Sequence, residues 1–345
     1  MDSSEIQILI AMVSYMLIVI LIGVFFAKRS QANSENYFLG GRSLGPWVAA
    51  MSAEASDMSG WLLMGLPGVA YWFGIADAAW TAIGLALGTY FNWLLVSKRL
   101  RAYSIVSGDA ITVPDFLSNR FHEKKKVILG ISAIFILIFF TVYAASCFVT
   151  CGKLFSGLFG YSYHSMMIVG AVFVLIYTAL GGFLAESASD FMQAVVMIIA
   201  LVGVTVFGVI HAGGFENVIE NAKAIPGYLS LVTTGTPITD AAGVQLSQGT
   251  TPLFGEPSNY GFLTILSTLS WGLGYFGMPQ VLLRFMAIRK SSELKRSRRI
   301  AIVWVVISLT AAVFIGVLGR AILPTDAGLA TKSAAENVFA HLSQL

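Results

Sequence analysis

Charged residues are scarce in this sequence. Lys and Arg number 21 and Asp and Glu 18 among 345 residues, so 11% of the chain is charged, against roughly 25% in a typical soluble domain. Hydrophobic residues make up 57% of the chain. This composition excludes a water-soluble globular core and indicates a polytopic membrane protein. A net charge of only +3 gives no reason to expect a nucleic-acid partner.

Cysteine and histidine are also few. Cys147 and Cys151 are the only cysteines, four residues apart in one apolar segment, and the four histidines are scattered along the chain. A zinc site needs more ligands at regular spacing, and no Ser, His or Cys constellation typical of an active site occurs. We therefore expect no enzymatic activity and no cofactor, and we interpret the two cysteines as small core residues.

Long apolar runs make up most of the sequence. The first, 6–27, follows Asp2 and Glu5 and is followed by Lys28 and Arg29. It is too long for a signal-peptide core and has the wrong flanking charges, so we interpret it as an uncleaved membrane span. The pattern predicts eight spans: 6–27, 47–74, 75–97, 127–152, 164–185, 191–212, 258–283 and 300–319.

The basic residues orient these spans. Seventeen of the 21 Lys and Arg fall in the loops after spans one, three and seven. Cytoplasmic loops carry the excess of basic residues, so the N-terminus is predicted to lie outside a bacterial plasma membrane, and an even span count places the C-terminus outside as well. The external loop from Gly213 is predicted to be a solvated connector, and the tail 330–345 an amphipathic surface helix.

The second span carries unusual polarity in the stretch 52–61, with Glu54, Asp57 and three serines. Ionisable residues at membrane depth usually face a protein interior or a watery cavity and mark an ion or substrate path. The small residues around Gly60 favour a break in the helix, which would free backbone carbonyls as hard oxygen ligands for a cation. We interpret this stretch as half of a binding site.

The seventh span has three glycines and a proline within 271–279, which makes a continuous helix unfavourable. Trp271 and Tyr275 lie four residues apart and would share an aromatic face. The alternative is a Gly-rich packing face with interfacial aromatics. Interrupted segments at matching positions of two repeats indicate a transporter's substrate site, which favours the first interpretation.

Spans two and seven are the first members of two sets of five if the fold is an inverted repeat preceded by one extra helix. The chain would then be a single transmembrane domain, 1–345. Its parts are a leading helix and cytoplasmic loop at 1–45, a first five-helix repeat at 46–212, an extracellular loop at 213–257 and a partial second repeat at 258–345. Three further residues have weaker signals: Tyr143 as a cavity hydroxyl or interfacial anchor, Asp190 as a gate or solvated helix start, and Arg42 as a loop charge with a gating role.

The residues resemble the sodium/solute symporter family, and within it the branch that carries proline. The resemblance extends through nearly the whole chain and rests on YFLGGRSLGP (37–46), ASDMSGWLLMGLPG (55–68), YTALGGF (177–183), WGLGYFGMP (271–279) and RFM (284–286). It implies an all-α, LeuT-like inverted-repeat fold with about eight transmembrane helices here and an incomplete second repeat. It also implies Na⁺-coupled uptake of L-proline, with membrane lipid as the surroundings.

The resemblance further implies site residues. It assigns the Na⁺ site to the backbone carbonyls of Ala55 and Met58, with Asp57 important for sodium coupling. It assigns the proline site to side chains and backbone of seven residues: Ser56, Ser59, Gly60, Tyr143, Trp271, Tyr275 and Pro279.

One departure from the family pattern bears on activity. Family members carry further spans, of which the ninth supplies the remaining Na⁺ ligands, whereas this sequence stops at Leu345. We therefore expect a truncated form that does not transport alone. The alternatives are a Na⁺- or H⁺-coupled symporter of another small carboxylate, with Glu54 or Asp57 titrating, and a membrane binding or sensor module without transport.

Overall fold

The computed structural model describes residues 3–345, and most of them are helical; Asp2, part of the predicted acidic flank, lies outside the described residues. Fourteen α-helices follow one another in the described part: α1 Ser3–Ser30, α2 Ser34–Leu39, α3 Pro46–Met58, α4 Leu66–Phe73, α5 Ile75–Leu95, α6 Ser97–Val106, α7 Val113–Arg120, α8 Val127–Phe159, α9 Tyr163–His211, α10 Phe215–Lys223, α11 Phe262–Leu269, α12 Pro279–Ala287, α13 Leu294–Ile322 and α14 Val338–Leu342.

Within residues 3–345, four helices are long and apolar enough to cross a membrane, and α5 with α6 makes a fifth if the pair, bent by 41°, is one span. Helix α9 has 49 residues and would extend roughly 74 Å at 1.5 Å per residue, more than twice the hydrocarbon thickness of about 30 Å. Gly182, at φ 55° and ψ −155°, interrupts it. The predicted spans five and six therefore meet at Gly182. The sequence pattern placed the connection between them at 186–190, which is wrong because those residues are helical.

Both predicted interrupted spans are broken in the structure. Helix α3 ends at Met58, a π-helical turn covers Trp61–Gly65, and α4 begins at Leu66. The residue with a left-handed backbone at this break is Ser59, at φ 47°, whereas Gly60 is right-handed. In the seventh span α11 passes into a 3₁₀ segment, Ser270–Gly277, and Met278 is extended before Pro279 starts α12.

The chain divides into two compact units. The first contains 1–57, 92–194 and 277–301. Within it the segment around Leu44 pairs with the end of α12, since the Leu44 amide donates to the Ala287 carbonyl at 3.1 Å and the Arg289 amide to the Leu44 carbonyl at 3.0 Å. Arg101 of α6 donates from Nε to the Ile288 carbonyl at 2.6 Å. These bonds fix the polar ends of the first unit's helices.

The second unit contains 58–91, 195–276 and 302–345. In it the Tyr71 hydroxyl donates to the Leu323 carbonyl at 2.8 Å, and Arg320 donates from Nε to the Tyr71 carbonyl at 3.0 Å. The loop after α9 is more ordered than the predicted connector: it holds α10 and two antiparallel two-stranded sheets, β1 Thr233–Thr234 with β4 Ser258–Asn259 and β2 Ser247–Gln248 with β3 Thr251–Pro252.

The C-terminal tail also differs from its prediction. It forms a 3₁₀ turn, Ala334–Asn337, and the short helix α14 rather than one amphipathic helix. Val338 is 0% exposed and Leu342 4%. The α-carbon of Glu336 lies so near Gly68 of α4 that a Cβ there would be 2.9 Å from it. The apolar face that suggested a membrane-surface helix is therefore buried against the protein.

Candidate functional site

The break after α3 places backbone carbonyls and hydroxyls in the interior of the first unit. The last carbonyls of any helix lack an amide donor within that helix. The Tyr143 hydroxyl of α8 serves as a donor in its place, since it lies 3.1 Å from the Ser56 carbonyl and 3.4 Å from the Asp57 carbonyl. Tyr143 therefore contacts the last turn of α3, where Ala55, Ser56 and Asp57 are predicted to act.

Asp190 lies in a buried polar cluster of the first unit. Its Oδ2 accepts from the Ser52 hydroxyl at 2.8 Å, and the Ser56 hydroxyl lies 3.0 Å away. Arg284 Nη2 donates to the same oxygen at 2.9 Å. Asp190 is 7% exposed and Arg284 1%. The interpretation of Asp190 as a solvated helix start is therefore wrong: its carboxylate is buried and paired.

Arg284 is the residue that sequence reasoning missed. Besides Asp190, its guanidinium binds Glu186 Oε1 at 3.2 Å and donates from Nε to the Ser52 hydroxyl at 2.9 Å. The group thus joins α3, α9 and α12 within the first unit. The RFM motif includes this arginine. Because Arg284 directly follows the seventh predicted span, the charge pattern predicts a cytoplasmic loop residue instead.

Arg42 is buried as well, at 9% exposure. Its Nη1 donates to the Ser104 hydroxyl at 3.1 Å and to the Met286 carbonyl at 3.0 Å, while Nη2 binds Asp109 at 2.9 Å. These partners lie on α6, on α12 and just after α6. Arg42 therefore links α6 and α12 within the first unit and is not a solvated loop charge.

Glu54 of α3 is 1% exposed. The indole Nε1 of Trp93 donates to its Oε1 at 3.1 Å, and Oε2 has no hydrogen-bond partner in the described part of the chain. The Trp93 ring also packs edge-on against Phe285, with ring centroids 4.5 Å apart. An unpartnered oxygen on a buried carboxyl is uncommon, because burying a polar group without a hydrogen bond is costly.

The second unit holds the other half of the predicted residues. The Tyr275 hydroxyl lies 4.0 Å from the Met58 sulfur, and Tyr275 is 3% exposed. Trp271 is 52% exposed and packs on Trp61, with ring centroids 5.0 Å apart. Met58 and Tyr275 are therefore in contact. So are Trp61 and Trp271, the aromatic residues beside the two helix breaks. Ser59 and Gly60 belong to this unit, whereas Pro279 belongs to the first.

The chemistry of these groups suits a cation and a small zwitterion. Carbonyl and carboxylate oxygens are hard ligands, and the carbonyls of unwound segments coordinate Na⁺ in transporters with interrupted membrane helices. Among the described residues, no group of three or more His, Cys, Asp or Glu is placed to hold a metal ion. Cys147 and Cys151 are free thiols.

Comparison with known proteins gives concordant similarities. A model of the sodium:solute symporter family matches residues 37–345. The sequence is 41% identical over 318 residues to the "Sodium/proline symporter" of Staphylococcus aureus strain USA300 / TCH1516, and equally to that of strain JH9. The matched region is 92% of this chain and 57% of each relative. The chain thus spans a little over half of those relatives' length.

A solved structure also resembles this chain. It is a Na⁺-coupled sialic acid symporter in a substrate-bound outward-open state, with a TM-score of 0.75 at 17% sequence identity. The match covers 96% of this chain and 66% of that one. The all-α, LeuT-like fold predicted from the motifs is therefore confirmed.

Proposed function

The chain belongs to the sodium:solute symporter family, and we propose that it serves Na⁺-coupled uptake of L-proline across the bacterial plasma membrane. The observation that carries this proposal is the break after Met58, where Tyr143 donates to the carbonyls of Ser56 and Asp57. The 41% identity to sodium/proline symporters supports proline as the solute. The basic loops support an N-terminus on the outside.

In this proposal the carbonyls of Ala55 and Met58 bind Na⁺, and Asp57 supplies negative charge close to it. Ser56, Ser59 and Gly60 contact the polar groups of proline, and Tyr143 fixes the broken end of α3. Trp271, Tyr275 and Pro279 enclose the pyrrolidine ring. Each ligand must raise the affinity for the other by the same factor, because binding coupling is reciprocal.

Alternating access requires contacts that form in one state and break in another. We assign this role to the cluster of Arg284 with Asp190 and Glu186, since charged bonds of 2.9 and 3.2 Å join α12 to α9 there. The Ser52 hydroxyl adds α3 to the same cluster. Arg42 supports it from the polar end of α12 through the Met286 carbonyl. Opening the cytoplasmic side would exchange these bonds for water.

A second candidate, proton coupling, is favoured by one observation. Glu54 is buried with an unpartnered oxygen, an arrangement that would allow a proton to bind and leave. Proton coupling predicts that uptake continues without Na⁺ and falls as pH rises, whereas sodium coupling predicts loss of uptake without Na⁺ at every pH.

The decisive experiment measures radiolabelled L-proline uptake in a bacterium lacking its own proline transporters, with Na⁺ or with choline. Two proteins are compared: this chain, and this chain extended with the remaining helices of a curated relative. Na⁺-dependent uptake by either supports the proposal. Na⁺-independent uptake by both would contradict it, and proline binding without uptake by both would support the binding-module alternative.

The site assignment has its own prediction. Asp57→Asn in the extended protein should raise the Na⁺ concentration needed for half-maximal uptake by at least roughly tenfold, because the negative charge close to the cation is lost. The change should weaken sodium dependence more than it disturbs folding, because asparagine keeps the size and shape of aspartate. An unchanged Na⁺ requirement would contradict the assignment.

A further inference from the structure

A cavity of about 530 Å³ lies in the first unit where α6 begins beside the start of α13. Its lining combines a buried aromatic floor, an apolar edge, hydroxyls and basic side chains: Trp93, Leu94, Lys98, Ser291, Lys295 and Arg298. It is separate from the Arg284 cluster and takes no part in the proposed transport mechanism. The question is which ligand this combination of groups would bind.

The walls of this cavity are fixed by buried hydrogen bonds. Arg101 of α6 donates from Nε to the Ile288 carbonyl at 2.6 Å, which holds α6 to the segment before α13. The Ser297 hydroxyl of α13 donates to the Pro46 carbonyl at 3.1 Å. Leu294 is 4% exposed and anchors the first turn of α13. The cavity is therefore built by the protein itself and does not depend on a ligand.

Two of its basic side chains, Lys98 and Lys295, have no acidic partner among the described residues. Lys98 and Lys295 are exposed, and no ion pair involves either of them in the region that the structure describes. The one acidic residue near the start of α13, Glu293, is engaged by Arg289, with bonds of 3.0 and 2.8 Å. The cavity therefore presents cations and serine hydroxyls, which suit a phosphate.

The apolar side of the cavity marks its position relative to a membrane. Helix α5 ends at Leu95, and the chain bends by 41° into the basic helix α6. Leu94 and Leu95 remain 40% and 46% exposed just before this bend. Charged and hydrocarbon-facing groups thus meet within a few residues, as they do at the level of lipid headgroups.

We propose that this cavity binds the phosphate headgroup of an anionic phospholipid. The phosphate accepts from Lys98, Lys295 and the Ser291 hydroxyl, and the acyl chains lie along Leu94 and Leu95. A soluble phosphate would contact only the two lysines and the serine hydroxyl. The adjoining apolar surface therefore favours a lipid as the ligand. The proposal rests on membrane insertion of the chain and not on which solute or ion it carries.

The test uses the full chain purified in a neutral detergent and measures binding of phosphatidylglycerol by native mass spectrometry. The variant K98Q/K295Q keeps two long polar side chains but removes both charges. We expect its dissociation constant for phosphatidylglycerol to rise roughly thirtyfold, since each basic residue near an anionic surface contributes on the order of fivefold. Phosphatidylcholine should bind weakly to both proteins.

The matched control is K124Q/K125Q, which removes two exposed lysines from the turn before α8. It should bind phosphatidylglycerol as the parent does. Equal weakening by both double variants would overturn the proposal in favour of general charge attraction. Unchanged binding by K98Q/K295Q would also overturn it, as would glycerol 3-phosphate competing at the same concentration as the lipid. None of these outcomes depends on proline uptake.

Discussion

A single buried guanidinium, that of Arg284, balances two carboxylates in the first unit. Removing one partner of a buried ion pair leaves the other charge uncompensated, at a cost of about 3–5 kcal/mol. We expect Arg284→Gln to lower the free energy of unfolding by that amount. SDS titration of the purified protein in mixed micelles, followed by far-UV circular dichroism, measures it.

Arg289 offers a matched control for this change. It binds Glu293 at 2.8 Å, but its side chain is 54% exposed, and exposed pairs contribute at most about 1 kcal/mol. Arg289→Gln should therefore be nearly silent. Adding Asp190→Asn to Arg284→Gln should restore part of the lost stability, because it removes the stranded charge. Equal losses for Arg284→Gln and Arg289→Gln would contradict the described geometry.

Residue types alone predicted the importance of several positions but not their partners. The carboxylates in the second span indicated a buried site, and Glu54 is indeed buried. Asp190 and Arg284 are 94 residues apart in sequence, and no local pattern encodes such a pairing. The same limit explains Ser59: the break was predicted from Gly60, but which residue takes the left-handed backbone depends on how both helix ends pack.

At the scale of helices, two glycines of α5 allow it to approach the broken seventh span closely in the second unit. A Cβ at Gly88 would collide with the backbone of Gly272, and one at Gly84 with the backbone of Leu269. Backbone atoms cannot rotate away as a side chain can. Gly88→Ala should therefore lower the free energy of unfolding by about 1–3 kcal/mol, the usual cost of overpacking. On the proposed function, it should also weaken proline binding by displacing Trp271. SDS titration and equilibrium proline binding measure the two effects.

Gly130 of α8 provides the control, since a Cβ there meets nothing within 4 Å. Gly130→Ala should stabilise the protein by about 0.5–1 kcal/mol, because alanine restricts the unfolded chain and suits a helix interior. If Gly88→Ala were as stabilising as Gly130→Ala, α5 and the seventh span would not be in backbone contact.

The spans and their breaks were the elements most accessible from sequence. Apolar length and the glycines and proline of 271–279 predicted the interrupted seventh span, and the structure has a 3₁₀ segment there. Two elements were not accessible. The sheets of the loop after α9 pair residues such as Thr233 and Asn259, which are far apart in sequence. The apolar face of the C-terminal tail can pack on a protein surface as well as on a lipid one.

For the whole molecule, basic residues set the orientation in the membrane. Lys and Arg near span ends are retained on the cytoplasmic side during insertion, and 17 of 21 lie in alternate loops. The turn at Lys125 should therefore be cytoplasmic and the strand at Gln248 external. Lys125→Cys and Gln248→Cys, each made in a chain with Cys147 and Cys151 replaced by serine, report on the two sides.

A membrane-impermeant maleimide applied to intact cells should label Gln248→Cys at once and Lys125→Cys only after permeabilisation. Both positions are exposed in the structure, so a difference in labelling reports the side of the membrane and not burial. The reverse pattern would invert the predicted orientation and would put the Arg284 cluster on the opposite side. Labelling of both in intact cells would mean that an even number of spans separates these positions, and not the three formed by α8 and the two halves of α9.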